Sequence, residues 1–294
     1  MEGAVARGVM DRAAAAAQVF VDDLGDPVPD PGARHHLARV LRLRPGETVV
    51  ASDGVGRWRS CRYRPARRGG GSGPGVASVL EAAGPVEVEP RLSPRLTVAF
   101  APAKGDRPEW VVQKLTELGI DRIVPLSAER SVVRWEGDRA DRAVERLRRV
   151  ALEAAAQSRR VWLPEVSDLI GVADLAKAEA SAAEGEGAEP AGTEGVPGEA
   201  TGGLVLAQLG GPPPLPWQRT VAVGPEGGWA PAELGLGLPC VGLGTGVLRS
   251  ETAALVAAAA LSLLRAATVS PRDPDDGEAG EPREPMRGEG KSRG

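Results

Sequence analysis

The sequence predicts an α/β protein in which a small β-barrel precedes a domain built on a parallel sheet. Three observations support this prediction. Residues 18–90 contain several short apolar runs separated by Gly- and Pro-containing turns, with one helix-like segment among them. From residue 96 onward, buried-type strands alternate with amphipathic helices, which is the pattern of βαβ units. Two of the last strands end in glycine-rich loops, at the sheet edge where open α/β proteins bind ligands.

The first domain is predicted over residues 17–90, after a disordered, Ala-rich start over residues 1–16. The apolar runs predict strands at 18–22, 48–52 and 58–64, a helix at 33–43, and further strand-like segments at 76–80 and 86–90. Pro45-Gly46 ends the helix, and Asp53-Gly54-Val55-Gly56 forms a turn between two strands. Many short strands with one helix indicate a barrel.

The second domain is predicted over residues 91–267. Its strands are expected at 96–101, 120–126, 204–207, 220–223 and 240–243, and its helices at 106–119, 141–158 and 251–264. Asp106 and Ser250 stand at the N-cap positions of two of these helices. Residues 176–203 are rich in Gly, Ala, Glu and Pro without apolar periodicity, which predicts a disordered insertion, and residues 268–294 are predicted to be a disordered tail.

Charge is distributed unevenly along the chain. The net charge is −4, yet residues 31–68 contain ten arginines and two acids, a balance of +8. Such a segment favours nucleic acid as a partner. Trp58 and Tyr63 alternate with arginines and could stack on bases, whereas Trp110, Cys61 and Cys240 are expected to be buried.

The same composition excludes several classes of protein. No apolar run approaches the length of a membrane span, and the start does not resemble a signal peptide, so we expect a cytoplasmic protein without a membrane partner. The two cysteines are far apart, and the only histidines, His35 and His36, are adjacent, so no metal site is predicted. Because the two histidines are adjacent and the chain has only two cysteines, the sequence gives little support for a Ser-His-Asp or Cys-His catalytic nucleophile.

Two glycine-rich stretches are the candidate ligand site. They are Val223–Trp229 (VGPEGGW) and Gly242–Thr252 (GLGTGVLRSET), and each follows a short apolar strand. Glycines allow a backbone to approach a ligand closely, and a helix that begins at residue 250 adds N–H donors. The P-loop and dinucleotide patterns are absent, which removes the main support for a nucleotide triphosphate or a dinucleotide.

GPEGG followed by LGTGVLRSETA and an Ala-rich helix resembles the bacterial 16S ribosomal RNA uracil-N3 methyltransferases (RsmE type), which belong to the SPOUT class. The resemblance covers residues 18–167 and 204–265. Its upstream motifs are His36-Leu37, Arg39–Leu43, Lys114–Gly119, Ile123–Leu126, Glu129–Ser131, Gln157-Ser158, Arg160 and Pro164. Five motifs in the family's order make the resemblance specific.

The resemblance implies a PUA-like barrel, a SPOUT domain with a deep trefoil knot, and a homodimer that methylates 16S rRNA with S-adenosylmethionine. The residues that it implies for the cofactor are Leu206, Gly224, Pro225, Glu226, Gly227, Gly228, Leu243, Gly244, Val247, Leu248, Ser250 and Thr252. Arg249 is the candidate for stabilising the uracil anion, and Glu226 and Glu251 are the candidate bases, although a glutamate in a first helical turn is also stabilised by the helix dipole. The RNA-binding candidates are Arg34, His36, Arg39, Arg42, Arg57, Arg59 and Arg130.

The chain departs from the family pattern at three places. Ala156 replaces a usual Glu, Gly244-Thr245-Gly246 lacks a usual Arg, and Ala207-Gln208 stands where His-Glu is common. Two alternatives therefore stay open. One is a SPOUT enzyme with another RNA target, such as a ribose 2′-oxygen or a tRNA base, and the other is a non-catalytic RNA-binding factor of ribosome assembly.

Overall fold

A computed structural model describes residues 10, 12–65, 80–185 and 203–267. The predicted tail, residues 1–9 of the predicted start, residues 186–202 of the predicted insertion and most of the strand expected at 76–80 lie outside these ranges. In the part that is described, no helix combines the length and the apolarity needed to cross a bilayer.

The N-terminal domain is a five-stranded sheet, curved around a small core. Its elements are β1 (Ala17–Phe20), α1 (Pro31–His35, continued by a π-helical turn, His36–Val40), β2 (Thr48–Ser52), β3 (Arg57–Tyr63), β4 (Leu80–Ala82) and β5 (Glu87–Val88). The strand order is β1-β2-β3-β4, and β5 also pairs with β3. Leu37 in the helical segment is fully buried against this sheet, which explains why an arginine-rich helix packs there.

The aromatic side chains of β3 are in the core, so the prediction that they stack on bases is wrong. Only 5% of Trp58 and 2% of Tyr63 are exposed. Tyr63 faces the barrel core together with Cys61, two residues earlier, as the period of a strand requires. Trp58 lies in a separate cluster with Ala15 and Val161, which connects the barrel to the second domain.

Residues 12–16 are ordered by this second cluster, which contradicts the prediction of disorder for them. The Arg12 guanidinium lies 5.1 Å from the Trp58 ring centroid and 2.6 Å from the Glu89 carboxylate. Its Nε donates to the Arg159 carbonyl at 3.2 Å. A buried, paired arginine therefore connects the start of the chain to both domains.

The second domain is a parallel sheet with helices on both faces, as predicted. Its elements are β6 (Thr97–Phe100), α2 (Arg107–Glu117), β7 (Arg122–Ser127), α3 (Asp138–Gln157), β8 (Glu165–Val166), β9 (Ile170–Gly171), α4 (Val172–Gly185), β10 (Leu204–Ala207), β11 (Thr220–Val223), α5 (Pro231–Leu234), β12 (Cys240–Val241) and α6 (Ser250–Arg265). The order is β12-β10-β11-β6-β7-β8, and β9 pairs with β7. The trefoil knot stays a prediction.

Each face of the sheet has its own core. The helices α2, α3 and α6 cover one face, with Val111, Leu115 and Leu147 in one cluster with alternate strand residues. Ala254, Ala257 and Ala258 of α6 are fully buried there, so the small side chains let this helix lie close to the strands. Leu175 of α4 and Trp229 cover the other face.

Three further expectations differ from the structure. Residues 176–185, predicted to be disordered, form the end of α4 because Leu175 and Glu179 are buried against the sheet. Trp110 is 43% exposed, since it lies on the solvent side of α2. Ser250 is the first helical residue of α6 rather than its cap, a position that Arg249 takes without a side-chain hydrogen bond; Asp106 is at the cap of α2, also without one.

The Asp121 carboxylate is a buried anchor for α6. It accepts from Arg265 Nη1 at 2.5 Å and from the Leu96 N–H at 3.0 Å, and Arg160 Nη2 lies at 3.7 Å. Burial lowers the pKa of Arg160 to about 10, and attraction to Asp121 opposes this shift. Arg160 also donates to the carbonyls of Thr116 and Ile120 at 2.8 Å each.

Replacement of Asp121 by Asn should destabilise the protein by about 3–5 kcal/mol, because two buried guanidiniums lose their counter-charge. Urea denaturation followed by circular dichroism measures this change. Asp168→Asn is the matched control: that carboxylate pairs with Arg148 at 2.8 Å but is 83% exposed. The control should lower the free energy of unfolding by at most about 1 kcal/mol. An equal loss of stability in the two variants would contradict the assigned role of Asp121.

The two cysteines should differ in reactivity. Cys61 is fully buried, and burial raises the pKa of its thiol, whereas Cys240 is half-buried with its Sγ 3.0 Å from Gln208 Oε1. Because the thiolate is the reactive form, Ellman's reagent should titrate Cys240 first in the native protein and both thiols in denaturant. Equal reaction rates of the two thiols in the native protein would show that Cys61 is accessible to solvent and would contradict its burial in the barrel core.

Candidate functional site

A cleft of about 360 Å³ lies at the carboxyl edge of the parallel sheet. It is formed where β10, β11 and β12 end, and by the first turn of α6. Its lining residues are Ala207, Gln208, Leu209, Val223, Gly224, Pro225, Glu226, Gly228, Trp229, Leu234, Leu243, Gly244, Gly246, Val247, Leu248, Ser250 and Ala253. Both glycine-rich stretches of the sequence therefore meet in one cleft with mainly apolar walls.

Trp229 shapes the GPEGG loop. Its ring is buried, and its Nε1–H donates to the Ala207 carbonyl at 3.0 Å, which joins the exits of β10 and β11. A Cβ at Gly224 would lie 3.0 Å from the Trp229 ring, a tight contact, so glycine lets the loop pack on that ring without displacing it. The loop lines the cleft through Gly224, Pro225, Glu226 and Gly228.

The loops after β10 and β12 touch backbone to backbone. The Gly242 N–H donates to the Pro212 carbonyl at 2.7 Å, and a Cβ on Gly242 would overlap the carbonyl oxygen of Gly211. A Cβ on Gly211 would in turn lie 2.7 Å from the Gly242 nitrogen. Two glycines are therefore required where these loops cross below the cleft.

Gly242→Ala should destabilise the protein by at least about 1–3 kcal/mol, because the new methyl group meets a backbone that cannot move aside. Gly246→Ala is the control in the same loop, since a Cβ there meets no heavy atom within 4 Å. The control should change the free energy of unfolding by less than about 0.5 kcal/mol. Urea denaturation of both variants measures this, and a stable Gly242→Ala protein would contradict the crossing.

Most of the predicted cofactor residues line the cleft, but three do not. Leu206 is fully buried in the core beneath it, and its N–H donates to the Pro239 carbonyl at 2.8 Å. Gly227 faces Arg130, and Thr252 is exposed on α6. Gln208 and Leu209 also line the cleft and were not among the predicted cofactor residues, although the rule that strand exits bind ligands points to the end of β10.

Two of the three departures from the family pattern also fall in the cleft lining, namely Ala207-Gln208 and the Gly244–Gly246 segment. Ala156 is instead near the end of α3, where its carbonyl accepts from Arg159 Nη1 at 3.1 Å. The first two departures change the wall of the cleft, and the third does not.

The two candidate carboxylates share one arginine. Arg107 Nη1 lies 3.9 Å from Glu226 Oε1 and 3.6 Å from Glu251 Oε1. Glu226 lines the cleft and is 46% exposed, whereas the Glu251 side chain is 13% exposed, beside the cleft rather than in it. Oε2 of Glu251 is buried without a hydrogen-bond partner. Sequence analysis did not select Arg107.

Arg249 lies at the rim, between the β12 loop and α6. Its side chain is exposed, and it makes no ion pair or hydrogen bond with the described residues. Arg130 lies on the other side of the GPEGG loop and donates from Nη1 to the Gly227 carbonyl at 3.2 Å. Of the sequence candidates, Arg130 therefore contacts the GPEGG loop directly, while Arg249 stands between two residues of the cleft lining, Leu248 and Ser250.

The RNA-binding candidates of the barrel fall into two groups. His36, Arg39 and Arg42 are exposed on the helical segment and the turn that follows it, and Arg34 is half-buried beside them. Arg57 is exposed and close to Asp53. Arg59 is different: its guanidinium donates to the carbonyls of Leu24 and Gly84 at 2.8 and 2.5 Å, so it stabilises the barrel, and its contact with RNA stays a prediction.

A search of the described residues finds no group of three or more His, Cys, Asp and Glu side chains arranged to hold a metal ion.

Comparison with known proteins gives two family matches in the order of the two domains. A family model described as an RNA methyltransferase domain matches residues 90–262. A second model, described as an RNA methyltransferase PUA domain, matches residues 29–68.

Similar proteins match most of the chain. The ribosomal RNA small subunit methyltransferase E of Mycobacterium bovis is 36% identical over 254 residues, which cover 81% of this chain and 90% of that protein. The protein of the same name from Synechocystis sp. is 34% identical over 78% of this chain and 70% of its own length.

Solved structures share the fold. A probable rRNA-methyltransferase from Porphyromonas gingivalis is 26% identical, with a TM-score of 0.63 over 86% of this chain and 100% of that one. A ribosomal RNA small subunit methyltransferase E from Neisseria gonorrhoeae, solved bound to S-adenosyl methionine, is 24% identical, with a TM-score of 0.60 over 84% of this chain and 97% of that one.

Proposed function

Because the chain belongs to the ribosomal RNA small subunit methyltransferase E family, we propose that it uses S-adenosylmethionine to methylate N3 of a specific uridine in 16S rRNA. The observation that carries the proposal is the convergence of GPEGG and GTGVLRSET on one cleft at the carboxyl edge of the sheet. A family match alone would not place these loops together.

The cleft fits the proposed cofactor. An adenosyl group needs apolar walls and backbone groups that read its polar edge. Leu209, Leu243 and Leu248 supply walls, and the loops beginning at Gly224 and Gly244 supply carbonyl and N–H groups. When bound, S-adenosylmethionine supplies an electrophilic methyl group, whose bond to sulfur breaks as the bond to N3 forms.

The chain's own task is to prepare the uracil nitrogen. N3 of a uracil carries a proton, so a nucleophilic N3 requires either a base or a positive charge that stabilises the anion. Arg249 is positioned for the second role, because its guanidinium is exposed at the rim and is not engaged by another described side chain. Glu226 is the better placed of the two candidate bases, since it lines the cleft.

The exposed basic side chains of the barrel provide a surface for folded RNA. Phosphate contacts dominate the affinity for nucleic acids, and folded RNA is recognised mainly by shape. Arg34, His36, Arg39, Arg42 and Arg57 form this surface in our proposal, with Arg130 as the contact nearest the cleft.

We further propose a homodimer that works in the cytoplasm, where ribosomal subunits assemble. The rim of the cleft supports the dimer because it exposes large apolar side chains: Leu209 is 61% exposed, Leu234 42%, Val247 88% and Leu248 36%. Exposed apolar residues grouped around a site are typical of a protein interface.

The test of the proposed function is methyl transfer. Purified protein is incubated with labelled S-adenosylmethionine and small ribosomal subunits from a strain that lacks this modification, and the nucleosides are separated. We expect labelled 3-methyluridine, reduced at least about 100-fold in Arg249→Ala, the size of effect seen when a group that stabilises an anion is removed.

Other outcomes separate the alternatives. Label in another nucleoside, or in tRNA, would keep the enzyme class and reject the uridine target. Saturable cofactor binding with no transfer to any RNA, or no binding at all, would contradict the proposal and favour a non-catalytic factor of ribosome assembly.

A further inference from the structure

Arg107 lies at the rim of the cleft, although its position in the sequence is far from both glycine-rich loops. It is the first residue of α2, just beyond the loop that leaves β6. Since β6 pairs in parallel with β11, with Phe100 opposite Val223, the loops that leave these strands are neighbours. This pairing brings Arg107 to the GPEGG loop.

Two carboxylates flank the Arg107 side chain. One nitrogen, Nη1, lies between Glu251 Oε1 at 3.6 Å and Glu226 Oε1 at 3.9 Å. Glu251 is fixed in the first turn of α6, and its side chain is only 13% exposed. The charge on the guanidinium therefore lies between two elements that also shape the cleft. Glu109, two residues further along α2, is paired with Arg146 instead.

These two contacts leave the donors of Arg107 free. Both distances are longer than a hydrogen bond, and the Arg107 side chain makes no hydrogen bond with the residues that the structure describes. A guanidinium offers five N–H donors in a rigid plane, and 43% of this side chain is exposed. Arg107 thus combines a position between two carboxylates with unused donors, whereas Arg249 is exposed and has no ion pair with a described residue.

An oriented cation stabilises a developing negative charge better than a mobile one, because it does not have to reorganise during the reaction. We propose that Arg107 is a further catalytic residue, which donates hydrogen bonds to an oxyanion of the target nucleotide. The proposal rests on the proposed function. Two groups offer this chemistry: the uracil ring, whose oxygens share the charge when N3 loses its proton, and the phosphate of the same nucleotide.

The test compares Arg107→Ala and Arg107→Lys with a matched control, Arg148→Ala. Arg148 is 44% exposed and also lies beside two carboxylates, of Glu145 at 3.7 Å and Asp168 at 2.8 Å, but it is on α3, away from the cleft. Each variant is assayed for Kd of S-adenosylmethionine by calorimetry, for unfolding in urea, and for steady-state methyl transfer to small subunits.

We expect Arg107→Ala to lower kcat/KM for the RNA at least about tenfold, while Kd of the cofactor stays within about twofold. Arg107→Lys should retain part of the activity, because lysine keeps the positive charge but lacks the planar set of N–H donors of a guanidinium. Arg148→Ala should match the wild type. An equal loss in Arg148→Ala, or a loss that follows weaker cofactor binding or lower stability, would overturn the proposal.

The kinetic constants identify the oxyanion. If Arg107 contacts the uracil ring, kcat is lower in Arg107→Ala than in the wild type. This difference in kcat narrows as the pH is raised, because a larger fraction of the uracil is then already ionised at N3. If it contacts the phosphate, KM rises with kcat unchanged, and the slope of log affinity against log salt falls by about 1. Either result supports an oxyanion contact.

Failure of the proposed function gives a different result. If the wild type labels another nucleoside, the uridine target is rejected, and the same comparison of variants on that nucleoside still tests Arg107. If the wild type labels nothing, filter binding of small subunits replaces the assay. Weaker binding by Arg107→Ala than by Arg148→Ala then supports the phosphate contact, and equal binding overturns the proposal.

Discussion

The buried contact between Asp121 and Arg265 fixes the last helix to the end of the sheet opposite the cleft. Asp121 immediately precedes β7, and its carboxylate also binds the backbone at Leu96, just before β6. Because α6 is a rigid rod, fixing its carboxyl end and burying its alanines against the strands determines where its first turn lies. That turn carries Ser250 and Ala253 in the cleft wall and Glu251 beside Arg107. A buried ion pair at one edge thus positions side chains at the other.

The second constraint is the crossing at Gly211 and Gly242. Parallel strands leave their loops at one edge, and three adjacent strands end there in this sheet. The loops after β10 and β12 can share that edge only where neither carries a side chain. The glycines of the second motif are therefore not equivalent: Gly242 is required by the backbone beneath it, while Gly244 and Gly246 lie in the cleft wall.

Much of the fold could be predicted from the sequence. The strands at 48–52, 204–207 and 220–223 have the predicted bounds because each is a short apolar run between turn residues.

The faces of β3 were harder to predict. Alternation separates two faces, but it does not show that the start of the chain covers the second one, so Trp58 looked available for bases. Arg59 looked free for the same reason, since its acceptors are carbonyls at Leu24 and Gly84, both distant in sequence.

The candidate site, like the fold, was only partly predictable from the sequence. Glycine-rich strand exits identify the candidate cofactor loops from local sequence, because the need for close backbone approach is a local property. The charged rim depends on strand order, which local sequence does not contain. Arg107 and Glu226 come from different βα connections, and they meet only because β6 and β11 are neighbours in the sheet. Two chains can therefore share the glycine loops and still carry different charges at the rim of the cleft.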